Sequence, residues 1–304
     1  MRALKLLCLA LALGSIPAWA QNQDYSKVQI QTVAVAPGIS MLLGAGGNIG
    51  VSVGEDGVFL IDDQYAPLTE KIQAAVKALS PKPVRFLLNT HWHGDHTGGN
   101  ENLGKAGAMI VAHDNVRIRL STEQFMPRFN EKVPPSPAIA LPVVTYNDSV
   151  TFHVNGEEIY AFHVPPAHTD GDSIVFFRKA NVVHMGDVFF NGLYPFIDVD
   201  SGGSISGVIA AVDRVLAMVG DDVKLIPGHG PLAGKKELAA YRAMLAAVRD
   251  NVAKLVAAGK SEADVLAAKP TAAFDETWGK GFLKPEVFTQ IVFASVSKEA
   301  GKKP

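Results

Sequence analysis

Apolar residues between positions 28 and 63 fall at alternate places or in short runs. Gln29-Ile30-Gln31-Thr32-Val33-Ala34-Val35 alternates, and 39–43, 49–53 and 58–61 follow as apolar stretches separated by glycine-rich turns. Alternation with β-branched content predicts four strands. The spacing then changes: Ile72, Val76 and Leu79 recur at helical intervals, predicting a helix over 68–79, before Val84-Arg85-Phe86-Leu87-Leu88-Asn89 reads as a buried strand. A short helix ending at Gly104 and a strand over 108–112 come next. A second strand series covers 143–164, with Asn155-Gly156 as a hairpin turn, and 173–184, with a turn near Lys179-Ala180-Asn181. Amphipathic spacing over 205–219 and 235–255 predicts two long helices flanking a strand over 223–226. The series predicts an α/β chain, an αββα sandwich of two mixed β-sheets flanked by helices.

Three stretches resist a regular period. Positions 126–142 carry five of the 18 prolines (Pro127, Pro134, Pro135, Pro137 and Pro142), which predicts no regular element and leaves a substrate-contacting or plain surface loop. Gly44-Ala45-Gly46-Gly47-Asn48 predicts a hairpin. Positions 188–196 form an aromatic loop, either the wall of a pocket for an apolar substrate or ordinary packing. Gly99 to Lys105 approaches a phosphate loop, but Ala106 stands where a hydroxyl would meet magnesium. Ser295-Val296-Ser297-Lys298 spells S-x-x-K with no partner motif around it.

Composition narrows the class. The 304 residues are 48% hydrophobic and 19% charged, with a net charge of −2, which fits a globular chain and offers no basic stripe for nucleic acid. Positions 1–20 pair Arg2 and Lys5 with an apolar run over 6–13 and end in Ala18-Trp19-Ala20, the pattern of a secretory signal cleaved after Ala20. The run is too short to span roughly 30 Å of hydrocarbon. A periplasmic or secreted location follows, with no membrane attachment after cleavage. Loss of Arg2 and Lys5 from 28 basic residues leaves 26 against 30 acidic ones, or −4. The single cysteine, Cys8, lies in this segment, so the mature chain has no thiol for a disulfide or a metal. The expected organisation is a signal over 1–20, one main domain over 21–260 and a C-terminal helical extension over 261–304 packed on it. No protein partner is indicated.

The chemistry concentrates at Thr90 to Gly99, T-H-W-H-G-D-H-T-G-G, at the end of a strand, where α/β folds keep their sites. Imidazole and carboxylate are ligands of catalytic zinc. His91 and His93, two apart, reach one point, and Asp95 and His96, past Gly94, a second. Four candidate ligands on so short a loop imply two metals, or one metal and a spare pair. His113, His153, His163 and His184 lie in or beside strands and read as packing residues.

This H-x-H-x-D-H pattern resembles that of the metallo-β-lactamase-fold hydrolases, and the rest of their motifs follow in order over roughly 30–260. Pro165-Pro166-Ala167-His168-Thr169-Asp170-Gly171-Asp172 resembles the second, Val183-His184-Met185-Gly186-Asp187 the third and Ile226-Pro227-Gly228-His229-Gly230 the fourth. The resemblance implies two zinc ions per chain. One is held by His91, His93 and His168, the other by Asp95, His96 and His229, and Asp187 bridges them. It implies a metal-bridging hydroxide that attacks a carbonyl in a β-lactam amide, thioester or lactone, a small-molecule substrate in each case. Asp95 orients the nucleophile and carries its proton. An aspartate at Asp62-Asp63 supports the metal loop, and Thr90, Thr169 and Asp170 are further supporting candidates. Two features depart from the lactamase subclass with a cysteine ligand: Asp187 occupies that motif, and Phe190 stands where a lysine grips the lactam carboxylate. An aspartate there is typical of members that cleave thioesters, lactones and phosphoesters, while export and the likeness to exported lactamases keep lactamase activity plausible, as a promiscuous one. His93 and the lack of a flavin domain separate the chain from the oxygen-reducing diiron branch. Two readings compete: an iron-dependent sulfur dioxygenase, which keeps all seven ligands and needs one iron, and a non-catalytic periplasmic zinc-binding protein, which takes up metal without turnover.

Overall fold

The computed structural model describes residues 24–301; the signal segment and Cys8 lie outside the described residues. The chain opens with an antiparallel run of β1 (Gln31–Ala36), β2 (Ile39–Leu43), β3 (Ile49–Gly54) and β4 (Gly57–Ile61). Helix α1 (Thr69–Leu79) crosses over to β5 (Val84–Leu88), which pairs parallel with β4. Two short helices, α2 (Gly94–Thr97) and α3 (Asn100–Lys105), precede β6 (Met109–His113), and α4 (Asp114–Leu120) leads to a detached hairpin of β7 (Gln124–Met126) and β8 (Glu131–Val133). Strand β9 (Val144–Tyr146) closes a seven-stranded sheet in the order β1-β2-β3-β4-β5-β6-β9. The second sheet holds β10 (Ser149–Val154), β11 (Glu157–His163), β12 (Ser173–Phe177), β13 (Val182–His184) and β14 (Lys224–Ile226), in that order. Helix α5 (Ile205–Met218) precedes β14, and α6 (Lys235–Ala257), α7 (Glu262–Ala268), α8 (Asp275–Trp278) and α9 (Pro285–Glu299) follow it. Among the described residues no helix is long and apolar enough to cross a membrane.

The layers follow from side-chain alternation. In β4 every residue is buried, because Phe59 and Ile61 face the other sheet while Val58 and Leu60 face α1. A strand covered on both faces reads as a continuous apolar run rather than an alternating one. Between the sheets, Met41, Phe59, Leu88 and Val111 meet Ile159, Val175, Phe177 and Ile226. Beyond the second sheet, Phe162, Ile174, Val183 and Leu225 pack under α5 and α6, and Phe288, Ile291 and Val292 of α9 join the same cluster. The αββα architecture is therefore observed, with both sheets mixed.

Two segments depart from the sequence expectation. Residues 144–146 pair parallel with β6 of the first sheet, not with the second, because Val143 donates to the Ile110 carbonyl and carries the chain along that edge before it turns at Asn147. The proline-rich stretch, expected to hold no regular element, begins with the β7–β8 hairpin. Pro127 opens a single 3-10 turn, and Asn130 at φ +48° brings Glu131 back opposite Met126. Its prolines lie in the turn and after β8, where no ladder donor is needed.

Candidate metal centre

The carboxyl ends of β4, β5, β13 and β14 lie side by side, and the loops leaving them converge. The loop after β5 supplies His91, His93, Asp95 and His96; the β11–β12 connection supplies His168; the turn after β13 supplies Asp187; and the loop after β14 supplies His229. The structure brings all seven together in two neighbouring clusters, His91, His93, His168 and Asp187 in one and Asp95, His96 and His229 in the other. Within each cluster the donor atoms lie within 4.8 Å of one another.

Four of the five histidines are fixed through one ring nitrogen and turn the other inward. His91 Nδ1 lies 3.0 Å from Thr90 Oγ1, and its buried Nε2 has no hydrogen-bond partner among the described residues. His93 uses Nε2 on Asp198 (3.0 Å) and points Nδ1 at His168 Nε2, 2.9 Å away. His168 Nδ1 bonds the Phe196 carbonyl at 2.7 Å. His96 Nδ1 faces Asp62 Oδ2 at 2.8 Å, while its Nε2 lies 3.0 Å from Asp187 Oδ1. His229 Nε2 stands 3.3 Å from Asp95 and 3.4 Å from Asp187, and its ring stacks on Phe190 at 4.9 Å between centroids. Fixing one nitrogen selects the tautomer that leaves the other lone pair free, as metal-binding histidines require.

The electrostatics favour a cation. Burial works against the charged forms of Asp187 and Asp95, yet the imidazoles around them, His96 foremost, hold both carboxyls below their ordinary range. Against its own burial, His229 is raised to about 9 by Asp187 and Asp95. His91 and His168 are pushed the other way by burial, His168 to about 4, which favours the neutral imidazole that a metal would need. An all-nitrogen and oxygen donor set with buried, mutually facing lone pairs and two carboxylates fits divalent zinc.

The surrounding loops are built for close approach. Asp62, at the end of β4 with φ +62°, accepts from Thr90 N (2.7 Å) and Thr90 Oγ1 (2.8 Å) besides facing His96. Gly47, in the β2–β3 hairpin, lies so near the His96 ring that an added Cβ would fall 2.0 Å from it. At Gly228 an added Cβ would fall 2.1 Å from Asp187 Oδ1. Of the supporting candidates, Thr90 touches His91, and Thr169 bonds Asp172, whose carboxylate also accepts from His168 N at 2.6 Å. Asp170 instead pairs with Arg119 at 2.7 Å, on the α4 side of its loop. Sequence reasoning gave no role to Asp198 or Asp172: Asp198 lies just past the aromatic loop, 105 residues from His93, and Asp172, though it closes the His168 motif, is marked there only by the glycine before it. His113 and His163 stack on each other at 3.7 Å, His184 bonds the Asn48 carbonyl, and none of the three belongs to either donor cluster.

A cavity of about 380 Å³ opens over both clusters. Its floor includes His93, Asp95, Asp187 and His229; its walls include Trp92, Met126, Phe129, Phe190, Phe196 and Phe282. The aromatic loop divides its rings: Phe190 and Phe196 face the cavity, whereas Phe189 and Tyr194 pack into the core.

The chain is similar to several known proteins. A family profile described as "Metallo-beta-lactamase superfamily" matches residues 44–255. The chain is 24% identical over 157 residues to the metallo-beta-lactamase type 2 of Bacteroides fragilis, covering 52% of this chain and 57% of that one. It is 24% identical over 194 residues to the hydroxyacylglutathione hydrolase of a Polaromonas species, covering 61% and 66%. Among solved structures, the sec-alkylsulfatase Pisa1 from a Pseudomonas species superposes with a TM-score of 0.67 at 16% identity, covering 87% of this chain and 50% of that one. The match thus spans from about half to two thirds of the length of each of these proteins.

Proposed function

The chain belongs to the metallo-beta-lactamase superfamily, many of whose members are hydrolases, and on that premise we propose that it is an exported dinuclear zinc hydrolase of carbonyl substrates. Thioesters and lactones are its main class, and β-lactam amides a side reaction. The observation that carries this reading is the convergence of seven donors with no thiol among them, four of the five histidines oriented by a partner of their own. His91, His93 and His168 would hold one ion and Asp95, His96 and His229 the other, with Asp187 shared. Bound zinc supplies Lewis acidity toward a carbonyl oxygen and makes water acidic enough to yield hydroxide at neutral pH, lowering its pKa from 15.7 to about 7.

The chain's own groups do the rest. Asp95, held by His96 and His229 and lying at the cavity floor, takes the proton released as water oxygen bonds the carbonyl carbon, and returns it to the leaving sulfur or oxygen as the old bond breaks. Asp62, Asp198 and the Phe196 carbonyl keep the ring planes fixed. The apolar walls exclude bulk water and hold the acyl group against the floor. Export is supported by the pattern of residues 1–20.

The test is metal content by mass spectrometry together with turnover of a thioester, a lactone and a chromogenic β-lactam, with and without a chelator. Two zincs per chain and chelator-sensitive hydrolysis are expected. One iron per chain with thiol oxidation, or zinc uptake with no turnover, would replace this reading.

A further inference from the structure

The C-terminal segment reaches the cavity through one residue. Between α8 and α9 the chain is anchored twice, by Trp278 and by Leu283, both buried in the cluster that holds α9. The Trp278 carbonyl accepts from Tyr194 N at 2.9 Å, and Gly281 runs so close to the aromatic loop that an added Cβ would fall 2.8 Å from Leu193. Phe282 stands between these anchors and lines the cavity, yet it is 60% exposed, more than any other phenylalanine among the described residues. Its ring is thus held at the mouth by fixed backbone on either side. The walls it joins come from distant stretches, Met126, Phe129 and Val133 from the β7–β8 hairpin and Phe190 and Phe196 from the aromatic loop, with Phe129 and Phe196 5.3 Å apart between centroids. Apart from the floor donors, Tyr65 and Glu131, every lining residue among those described is apolar or a glycine, and none is a lysine or arginine.

We propose that the cavity selects substrates with an uncharged apolar acyl chain, and that Phe282 is the residue that grips this chain at the mouth. This rests on the hydrolase reading above and names its substrate class. With the carbonyl on the floor, the chain runs up the apolar walls and covers the exposed face of Phe282, so that chain and ring leave water together. Each methylene buried in this way strengthens binding about fourfold. A chain that ends in a carboxylate loses the gain, because that group would shed its water with no lysine or arginine on the walls to receive it.

The experiment uses 4-nitrophenyl acetate, butyrate, hexanoate and the monoester of adipate, with metal-loaded wild type, Phe282→Ala, Phe282→Leu and Phe125→Ala. In wild type kcat/KM is expected to rise about fourfold per methylene from butyrate to hexanoate, where added carbons no longer alter the carbonyl itself, and to fall back for adipate. The hexanoate over acetate ratio should drop on the order of tenfold in Phe282→Ala and be largely kept in Phe282→Leu, which still offers an apolar surface. Phe125→Ala removes a ring that is 52% exposed and lies off the cavity, and should leave the ratio unchanged. Alkyl hydroxamates of the same chain lengths, titrated calorimetrically, give the same ratios from binding alone. Should no ester be hydrolysed, the hydrolase reading fails while the hydroxamate ratios still decide the chain site. A wild-type ratio that does not rise with chain length, or one that Phe282→Ala leaves unchanged, overturns the proposal.

Discussion

Replacing Asp62 by asparagine isolates the support that the first sheet gives the second donor cluster. Asp62 is fully buried and accepts from three directions: Thr90 N at 2.7 Å, Thr90 Oγ1 at 2.8 Å and His96 Nδ1 at 2.8 Å. Asparagine keeps the shape and tolerates the left-handed φ of +62°, so the backbone is not the cause of any loss. One oxygen still serves Thr90 N, but an amide NH₂ now faces two donors, Thr90 Oγ1 and the N–H of a His96 that must offer Nε2 to a metal. Hydrogen bonds to a charged acceptor contribute about 1.5–3 kcal/mol each. Two are removed, they are not additive, and a net loss of about 3 kcal/mol is expected from the folded state. For the second ion the expected cost is about 10–100-fold in affinity, the usual effect of losing an outer partner of a ligating histidine. Urea unfolding in the presence of a chelator reads the first quantity, and competition with a chromophoric chelator for two zinc equivalents reads the second. If the variant keeps its urea midpoint and binds both ions within about twofold of wild type, Asp62 does not orient His96 and the reasoning is wrong.

Two further substitutions probe other parts of the fold. Gly228→Ala puts a methyl group 2.1 Å from Asp187 Oδ1 and 2.6 Å from the Gly186 carbonyl, so one metal equivalent and most hydrolysis should be lost; zinc stoichiometry near two in a folded variant would contradict this. Phe288→Ala removes a fully buried ring stacked on Tyr194 at 4.4 Å and should cost about 3–5 kcal/mol in urea unfolding, with kcat little changed because the ring lines neither the cavity nor a donor cluster.

Where local order carries the information, the sequence was legible. Asn155 and Gly156 both adopt positive φ, as the hairpin required, and the helical spacing of Ile72 and Val76 put both residues against the first sheet. The clustered histidines of 90–99 and the single ligands at 168, 187 and 229 each stand in a recognisable short motif, and the structure brings them together. What escaped depends on contacts between distant segments. Strand β9 is three residues long; the Val143 to Ile110 hydrogen bond and the parallel ladder to β6 that follows it decide which sheet it joins. The β7–β8 hairpin hid among prolines because they bracket its strands instead of interrupting them. Asp198 lies 105 residues from His93, beyond the reach of any local pattern.

Each donor cluster is divided between the two sheets. His93 meets a histidine 75 residues further on, and His96 one that is 133 residues away. A chain with only its first sheet formed therefore owns two of the four donors in one cluster and two of the three in the other, and binds a cation weakly, since nothing in the second half is yet in place. Contacts so far apart form late in folding, and a ligand bound by the finished fold alone stabilises it by mass action. A metal ion held by both halves would thus be a clasp closed after the last rearrangement, and the stability of the folded chain should rise and fall with the free metal around it.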